Sequence, residues 1–403
     1  MFRVSTKIFT IKVGSSLMKK FKYLDYFIVV PYVILCVFGI IMVYSSSADY
    51  YIINGIRATS YLFRQMAYVM VGFLVAALVF ELKLKKFRSS TFLKIFAIGM
   101  IFSFVYLLFW GSVVNGAKGW IELGPINIQP AEVAKLFLTL YLADMLSKHN
   151  DRLERDPKSY YRAPLIMTLV FVLAIFLQRD LGGATINFTI ALIIFFASGI
   201  DYRKGIGIIL LGVSAFMFVL LPLASRINVN TKNYMLQRIV GFAHPFELAK
   251  SSGNQLVNSY YALGNGGVFG VGLGNSIQKK GYLPEANTDF IMAVVSEELG
   301  LVTVSLILIL LLVIVGRAIW LGIHAHNMYE TLVCYGLATY LSIQTFFNIG
   351  GVTGLLPITG VTFPFISYGG SSMLVLSVAM GILLNVSANV QRERTKNLTL
   401  VRE

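Results

Sequence analysis

The sequence is poor in charge and almost devoid of cysteine. Of its 403 residues only 13% are Asp, Glu, Lys or Arg, whereas a soluble domain needs roughly 25% to cover its surface. A water-facing globule is thereby excluded. The two cysteines, Cys36 and Cys334, both lie in apolar blocks, so neither a disulfide framework nor a Cys-rich metal site is available. GxxxxGK[ST], GxGxxG, HExxH and GxSxG are all missing, which removes the common nucleotide cradles, the zincin helix and the nucleophile elbow. The four histidines, His149, His244, His324 and His326, lack metal-ligand spacing.

What is present is hydrophobic: 57% of the residues, in blocks of the roughly 20 residues that a 30 Å hydrocarbon layer demands. The fold class expected is an all-α integral membrane protein of about ten spans. These fall near residues 24–45, 62–80, 91–109, 130–146, 163–178, 182–199, 205–223, 289–321, 329–349 and 371–390. The first span follows a basic tail, residues 1–23, and is too long for a cleaved signal peptide. The plan is one membrane domain, 24–390, with a large external loop at 224–288 between the seventh and eighth spans, and a short tail, 391–403.

A net charge of +15 raises the question of nucleic acid, but the basic residues are scattered between spans and form no single face. Topology accounts for them better. With the amino terminus inside, inner segments collect 22 Lys and Arg, and the short outer loops four. The orientation rule counts short loops, so both termini are expected in the cytoplasm. Three unusual segments then lie outside: 110–129, 224–288 and the Gly/Pro-rich stretch 350–370. Irregular backbone near lipid must be buried in protein or line a watery cavity, so an outward-facing cavity is expected.

Several residues in these segments are suited to chemistry. Asp289 stands where polar loop becomes apolar helix. One reading makes Asn287, Thr288 and Asp289 a helix cap. The other makes Asp289 a proton acceptor, with Arg238, Lys279 and Lys280 holding an anionic head group nearby. Glu297 and Glu298 are acids inside a span, which serve function or packing equally well. Glu132 and Lys135, three apart behind Gln129 and Pro130, share a helix face and read as an ion pair. Lys118, in Asn115-Gly116-Ala117-Lys118-Gly119-Trp120, reads equally as an interfacial anchor and as a phosphate contact. Ser367, in the run to Ser372, either contacts substrate or begins the last helix.

Five ordered motifs cover nearly the whole chain: NGAKGWIELG with QPAEVAKL, then QRDLGGA, then RIVGFAHPFE, then the Gly-rich run with QKKGYLPEANTDFIMAVVSEELG, and LLPITGVTFPFISYGGSS. In them the sequence resembles the SEDS family (shape, elongation, division and sporulation). QKKGYLPE looks more like its division branch than its elongation branch. The resemblance implies a peptidoglycan glycosyltransferase that polymerises lipid II into glycan strands at the division septum, beside a class B penicillin-binding transpeptidase and other divisome membrane proteins. It places the family's catalytic acid on Asp289; beside it, Lys118, Arg238, Lys279, Lys280, Glu285 and Ser367 are the candidate substrate contacts. It leaves room for a divalent cation, Mg or Mn, and assigns no resident metal. Asn287 stands where relatives often have histidine, and Gly119 where a second basic residue is common. A lipid II flippase and a structural scaffold are the rival readings; the first needs a polar path through both leaflets, the second tolerates loss of Asp289.

Overall fold

A computed structural model describes residues 20–53, 59–114, 116–124, 126–148, 155–199 and 234–400, with Arg203, Gly207, Leu210, Leu211 and Ser214. Eleven helices dominate: α1 Tyr26–Ile53, α2 Thr59–Glu81, α3 Ser90–Trp110, α4 Pro130–Lys148, α5 Pro157–Leu177, α6 Leu181–Ala197, α7 Tyr234–Ala243, α8 Asn254–Gly266, α9 Ile291–His324, α10 Met328–Thr353 and α11 Gly370–Leu400. Among the described residues seven helices are long and apolar enough to cross a membrane. Nine of the ten expected spans coincide with a helix; the span expected at 205–223 lies outside the described residues but for Gly207, Leu210, Leu211 and Ser214.

Large apolar side chains point outward along these helices: Phe63, Leu74 and Leu78 on α2, and Ile98 and Phe102 on α3, are each at least 65% exposed. In water such surface is a liability; in lipid it is the required outer face. The interior is held by close approach and by polar pairs. At Gly72 an added β-carbon would lie 2.5 Å from Ser377 Oγ, and at Gly381 one would lie 2.6 Å from the carbonyl oxygen of Ala76. These two glycines let α2 and α11 pack backbone to backbone, the small-residue contact by which membrane helices associate. Far from the cavity described below, Arg317 Nε meets Asp25 Oδ2 at 2.7 Å, and Lys148 Nζ meets Asp144 Oδ2 at 2.6 Å. The first ties α9 to the start of α1, and the second closes the end of α4, where Asp144 also meets Arg88 Nε at 3.3 Å, on the side expected to face the cytoplasm.

The irregular segments are more ordered than the sequence implies. Between α3 and α4 the chain forms a three-stranded antiparallel meander, β1 Ser112–Val114, β2 Ala117–Leu123 and β3 Ile126–Ile128. The 224–288 loop holds α7 and α8. Its glycine-rich part enters the body of the protein: an added β-carbon on Gly266 would lie 1.9 Å from the Ser296 carbonyl oxygen. There α9 is broken at Gly300, whose φ of 74° and ψ of 179° are non-helical. The break frees backbone groups that the loop satisfies: Val271 N–H donates to the Glu297 carbonyl at 2.9 Å, Gly272 N–H to that of Glu298 at 2.9 Å, and Leu301 N–H to that of Gly267 at 3.0 Å.

Candidate active site

Residues from α2, the β-meander, the α5–α6 turn, α7, the α8–α9 loop and the α10–α11 loop converge on a polar cavity of about 420 Å³. Each of these segments belongs to the side expected from the charge distribution to lie outside.

Asp289 lies on its wall. Helix α9 begins at Ile291 after Phe290, which makes no side-chain cap, so the capping reading of Asp289 fails. Its carboxyl is instead half-buried and turned into the cavity. Burial raises its pKa first and the neighbouring Glu285 carboxylate second; Arg238 opposes, Asp180 adds, and the group is pushed up to about 7. A carboxyl there titrates where a general base is most effective.

The backbone around Asp289 is fixed from several directions. Asn348 Nδ2 donates to the Asp289 carbonyl at 2.7 Å and to that of Val361 at 2.7 Å. Ser367 Oγ donates to the Thr288 carbonyl at 2.6 Å and accepts the Phe363 N–H at 2.8 Å. Tyr368 N–H donates to the Asn287 carbonyl at 2.9 Å. The α10–α11 loop is thus stitched to the segment bearing the acid. Gly360, at φ 73°, closes the approach: a β-carbon added there would lie 3.2 Å from Arg238 Nη2 and 3.4 Å from Asp289 Oδ2. Arg238 and Asp289 therefore face one small space that any side chain at position 360 would invade.

The expected site residues separate into two groups. Arg238, Glu285, Glu132 and Asp289 line the cavity. Glu285 Oε2 accepts from Thr288 Oγ1 at 2.6 Å, and its backbone is left-handed at φ 58°. Lys135 Nζ bonds Glu132 Oε1 at 2.5 Å and Gln344 Oε1 at 2.9 Å, the pair lying under the cavity floor. The other group lies elsewhere. Lys118, expected as a phosphate contact or anchor, does not line the cavity, although Ala117, Gly119, Trp120 and Glu122 of the same strand do; its Nζ donates to the Leu108 carbonyl at 3.4 Å. Lys279, expected at substrate, is buried in an ion pair with Glu298 at 2.9 Å and donates to Ser45 Oγ at 3.2 Å. Lys280 is exposed to solvent outside the cavity. Ser367 positions backbone and does not line the space. In each case the segment is as expected and the side chain is turned by tertiary structure.

Sequence reasoning did not single out Arg64, Tyr68, Asp180, Tyr368 or Gln129, all of which line the cavity. Asp180 Oδ1 accepts the Gly183 N–H at 2.7 Å, capping α6, and its Oδ2 accepts from Gln129 Nε2 at 3.4 Å; burial raises its pKa. The QRDLGGA motif was the available signal for it. Arg64 and Tyr68 sit in an ordinary apolar helix and carry no local signal.

Among the described residues no group of three His, Cys, Asp or Glu is spaced to hold a metal. The cavity nevertheless offers separated carboxylates, Glu285 and Asp180, of the kind that a Mg or Mn ion uses alongside substrate phosphates.

The family model described as cell cycle protein FtsW/RodA/SpoVE matches residues 26–392. The chain belongs to this family. Among FtsW/RodA/SpoVE relatives, it is 37% identical over 385 residues to a probable peptidoglycan glycosyltransferase FtsW of Bacillus subtilis, covering 94% of each chain. It is 36% identical to the stage V sporulation protein E of the same organism, covering 90% of this chain and 96% of that one. The fold matches a solved peptidoglycan synthase complex of polymerization and crosslinking at a TM-score of 0.72, with 26% identity over 91% of this chain and 98% of that one. It also matches the rod shape determining protein RodA of Thermus thermophilus at a TM-score of 0.65, with 25% identity over 90% of this chain and 96% of that one.

Proposed function

We propose that the chain is a peptidoglycan glycosyltransferase that extends glycan strands from lipid II on the outer face of a bacterial cytoplasmic membrane, in septal synthesis. The observation that carries the reading is Asp289: an acid with its pKa pushed up to about 7, facing Arg238 across a polar cavity at one end of a membrane bundle. The FtsW names of its relatives support the substrate and the division role. The charge distribution supports cytoplasmic termini and an outward site.

In this mechanism Asp289 takes the proton from the GlcNAc 4-hydroxyl of an incoming lipid II as that oxygen attacks the anomeric carbon of the growing strand, with inversion. The bond to undecaprenyl pyrophosphate breaks and the pyrophosphate leaves with the electron pair. It needs no general acid; its charge needs cations, and Arg238 is positioned to supply one. Glu132, neutralised by Lys135, supports the floor. A Mg or Mn ion, held by substrate phosphates with Glu285 or Asp180, would add Lewis-acid stabilisation of the leaving group. The partner is a class B penicillin-binding transpeptidase, consistent with the solved synthase complex of the same fold.

The test is polymer formation from labelled lipid II by the purified chain together with its transpeptidase carrying a dead active site. Wild type should form glycan strands and folded Asp289→Asn should lose about 10²- to 10⁴-fold in rate, the usual worth of a general base. Equal polymer from both removes Asp289 from catalysis. Polymer from neither turns the question to lipid translocation.

A further inference from the structure

Among the described residues, α10 is the least apolar of the helices long enough to cross a membrane. Its polarity is concentrated on one row. Tyr340, Gln344 and Asn348 stand four residues apart, one above the other over about 12 Å of helix, and all three are buried. Each has partners on a different part of the site. Tyr340 donates its hydroxyl to Glu132 Oε2 at 3.3 Å, and Lys135 Nζ lies over its ring, 4.8 Å from the centroid. Gln344 Oε1 accepts from Lys135 Nζ at 2.9 Å, and its Nε2 donates to the Thr362 carbonyl at 2.9 Å and to the Thr362 hydroxyl at 3.3 Å. Asn348 directs Nδ2 to the carbonyls of both Asp289 and Val361, while its Oδ1 has no partner among the described residues.

We propose that this row is a positioning ladder: Gln344 and Asn348, braced by Tyr340, set the separation between the cavity floor at Glu132 and the base at Asp289, a role that rests on the glycosyltransferase reading. Three features carry it. First, destination: polar side chains that only glue membrane helices together bond to the neighbouring helix. Here Tyr340 and one arm of Gln344 reach α4, whereas the other arm of Gln344 and both bonds of Asn348 end on the irregular segments that build the cavity, at Thr362, Val361 and Asp289. Second, donors: a buried amide oxygen without a partner costs stability, and an apolar residue would avoid that cost. Asparagine at 348 is explained by its two N–H donors, which hold two different loops at one point. Third, reach: the Thr362 hydroxyl donates to Ser372 Oγ at 3.1 Å, and both residues line the space that Asp289 lines. The restraint on Thr362 therefore passes into the cavity. Three rungs on one helix hold Glu132, Thr362 and Asp289 in one frame, and a broken rung lets floor and base drift apart. A misplacement of about 1 Å costs on the order of 10²-fold in rate.

Polymerisation of lipid II by the full-length chain with its inactive transpeptidase, and amide hydrogen exchange of the same samples, test this for Gln344→Met, Asn348→Leu and the double variant. Each single variant should lose about 10- to 100-fold in kcat with KM close to wild type, and the double variant about as much as the worse single, as residues acting in one unit do. The acid limb of kcat/KM should also move to lower pH as the unlocked carboxyl meets more water; Arg238, Glu285 and Asp180, the charged groups that act on Asp289, are unchanged. Exchange reads the coupling directly. Gln344 bonds to Lys135 and Thr362, yet Gln344→Met should speed exchange of the Thr288 and Phe290 amides, both of which donate to the Glu285 carbonyl. Losses that multiply in the double variant while the acid limb stays at about pH 7 make the two side chains independent structural bonds and overturn the ladder, as does wild-type exchange at Thr288 and Phe290 in Gln344→Met. Where a variant at 344 or 348 fails to fold, Tyr340→Phe, which deletes one hydroxyl and little volume, should lose about 2- to 10-fold in kcat; full activity from it, with exchange at Thr288 and Phe290 unchanged, overturns the ladder. If wild type makes no polymer but the exchange pattern holds, the glycosyltransferase reading fails and the ladder stands.

Discussion

Replacing Asp289 with Asn should silence the enzyme and at the same time stabilise the protein, and the gain should depend on pH in one direction. An ordinary aspartate titrates near 3.8, and this one is pushed up to about 7. The folded state therefore keeps its proton over a range where the unfolded chain has lost it. Its contribution to stability is full below about pH 4 and is lost as pH rises through about 7. At about 1.4 kcal/mol per unit, a shift of about three units sets a ceiling of about 4 kcal/mol. The carboxyl opens into a solvent-sized cavity, and screening there reduces the loss to about 1–2 kcal/mol. Asparagine resembles the protonated acid at every pH, so Asp289→Asn should gain that amount on wild type above pH 7.5 and about a third of it near pH 5, because the loss accrues between about pH 4 and pH 7. Thermal unfolding in one detergent at pH 5, 6, 7 and 8, followed by tryptophan fluorescence, measures the difference. A difference that does not change with pH, or a variant less stable than wild type at pH 8, refutes a raised pKa and means that Arg238 holds the carboxylate as an ordinary ion pair.

The same shift governs activity: the base must be ionised, so kcat/KM should climb through an apparent pKa near 7, and a profile flat from pH 5.5 to 8 would count against Asp289 as the base. Gly360→Ala should cost about 1–2 kcal/mol for its left-handed backbone and drop polymerisation at least tenfold by intruding between Arg238 and Asp289; normal turnover from this variant would show that the space is unused. Ser367→Ala leaves the Thr288 carbonyl and Phe363 N–H without their bonds, and should lower stability by about 1–3 kcal/mol with partial loss of rate, a scan and a rate assay distinguishing it from Asp289→Asn by the sign of the stability change. Lys279→Ala strands Glu298 in the interior and should destabilise by about 3–5 kcal/mol; the pair Lys279→Met with Glu298→Gln should recover most of the melting temperature, and failure of that rescue would point to a role beyond the pair.

The span plan was legible because lipid imposes length and apolarity on every crossing segment. The acid at the centre of the site was legible through its motif, and Glu132 with Lys135 through helical spacing. Side-chain direction was not. Lys118 turns back to the Leu108 carbonyl at the end of α3, and no local cue announces a three-stranded meander in a loop of that length. Lys279 reads as a cation for the substrate's anionic head group until the fold carries it against Glu298, nineteen residues on in the chain. Arg179, Glu285 and Phe365 adopt left-handed backbone at φ 65°, 58° and 64°, a conformation that the sequence marks only when glycine occupies it. Arg64 and Tyr368 meet across some three hundred residues, a contact that belongs to topology alone.

The buried acids of α9 show why a site of this kind needs charge deep in the protein without conducting it. A loop that enters the bundle brings backbone N–H groups to a place where lipid offers no acceptor. Glu297 supplies the acceptors: its Oε1 takes the Ile277 N–H at 3.0 Å and Asn265 Nδ2 at 2.9 Å, and its Oε2 takes the Gln278 N–H at 3.2 Å and the Ser276 hydroxyl. Glu298 meets Lys279 and Ser45, and the break at Gly300 turns two helix carbonyls toward the loop. Both carboxylates are thus consumed in anchoring the segment that leads to Glu285 and Asp289. A translocation pathway would instead need such charges lining an open passage toward the other leaflet, whereas these are buried and closed in on their own partners. Glu297→Ala should accordingly loosen residues 265–289, seen as faster hydrogen exchange there, and reduce polymerisation through misplacement of Asp289; unchanged exchange in that segment would sink the anchoring argument.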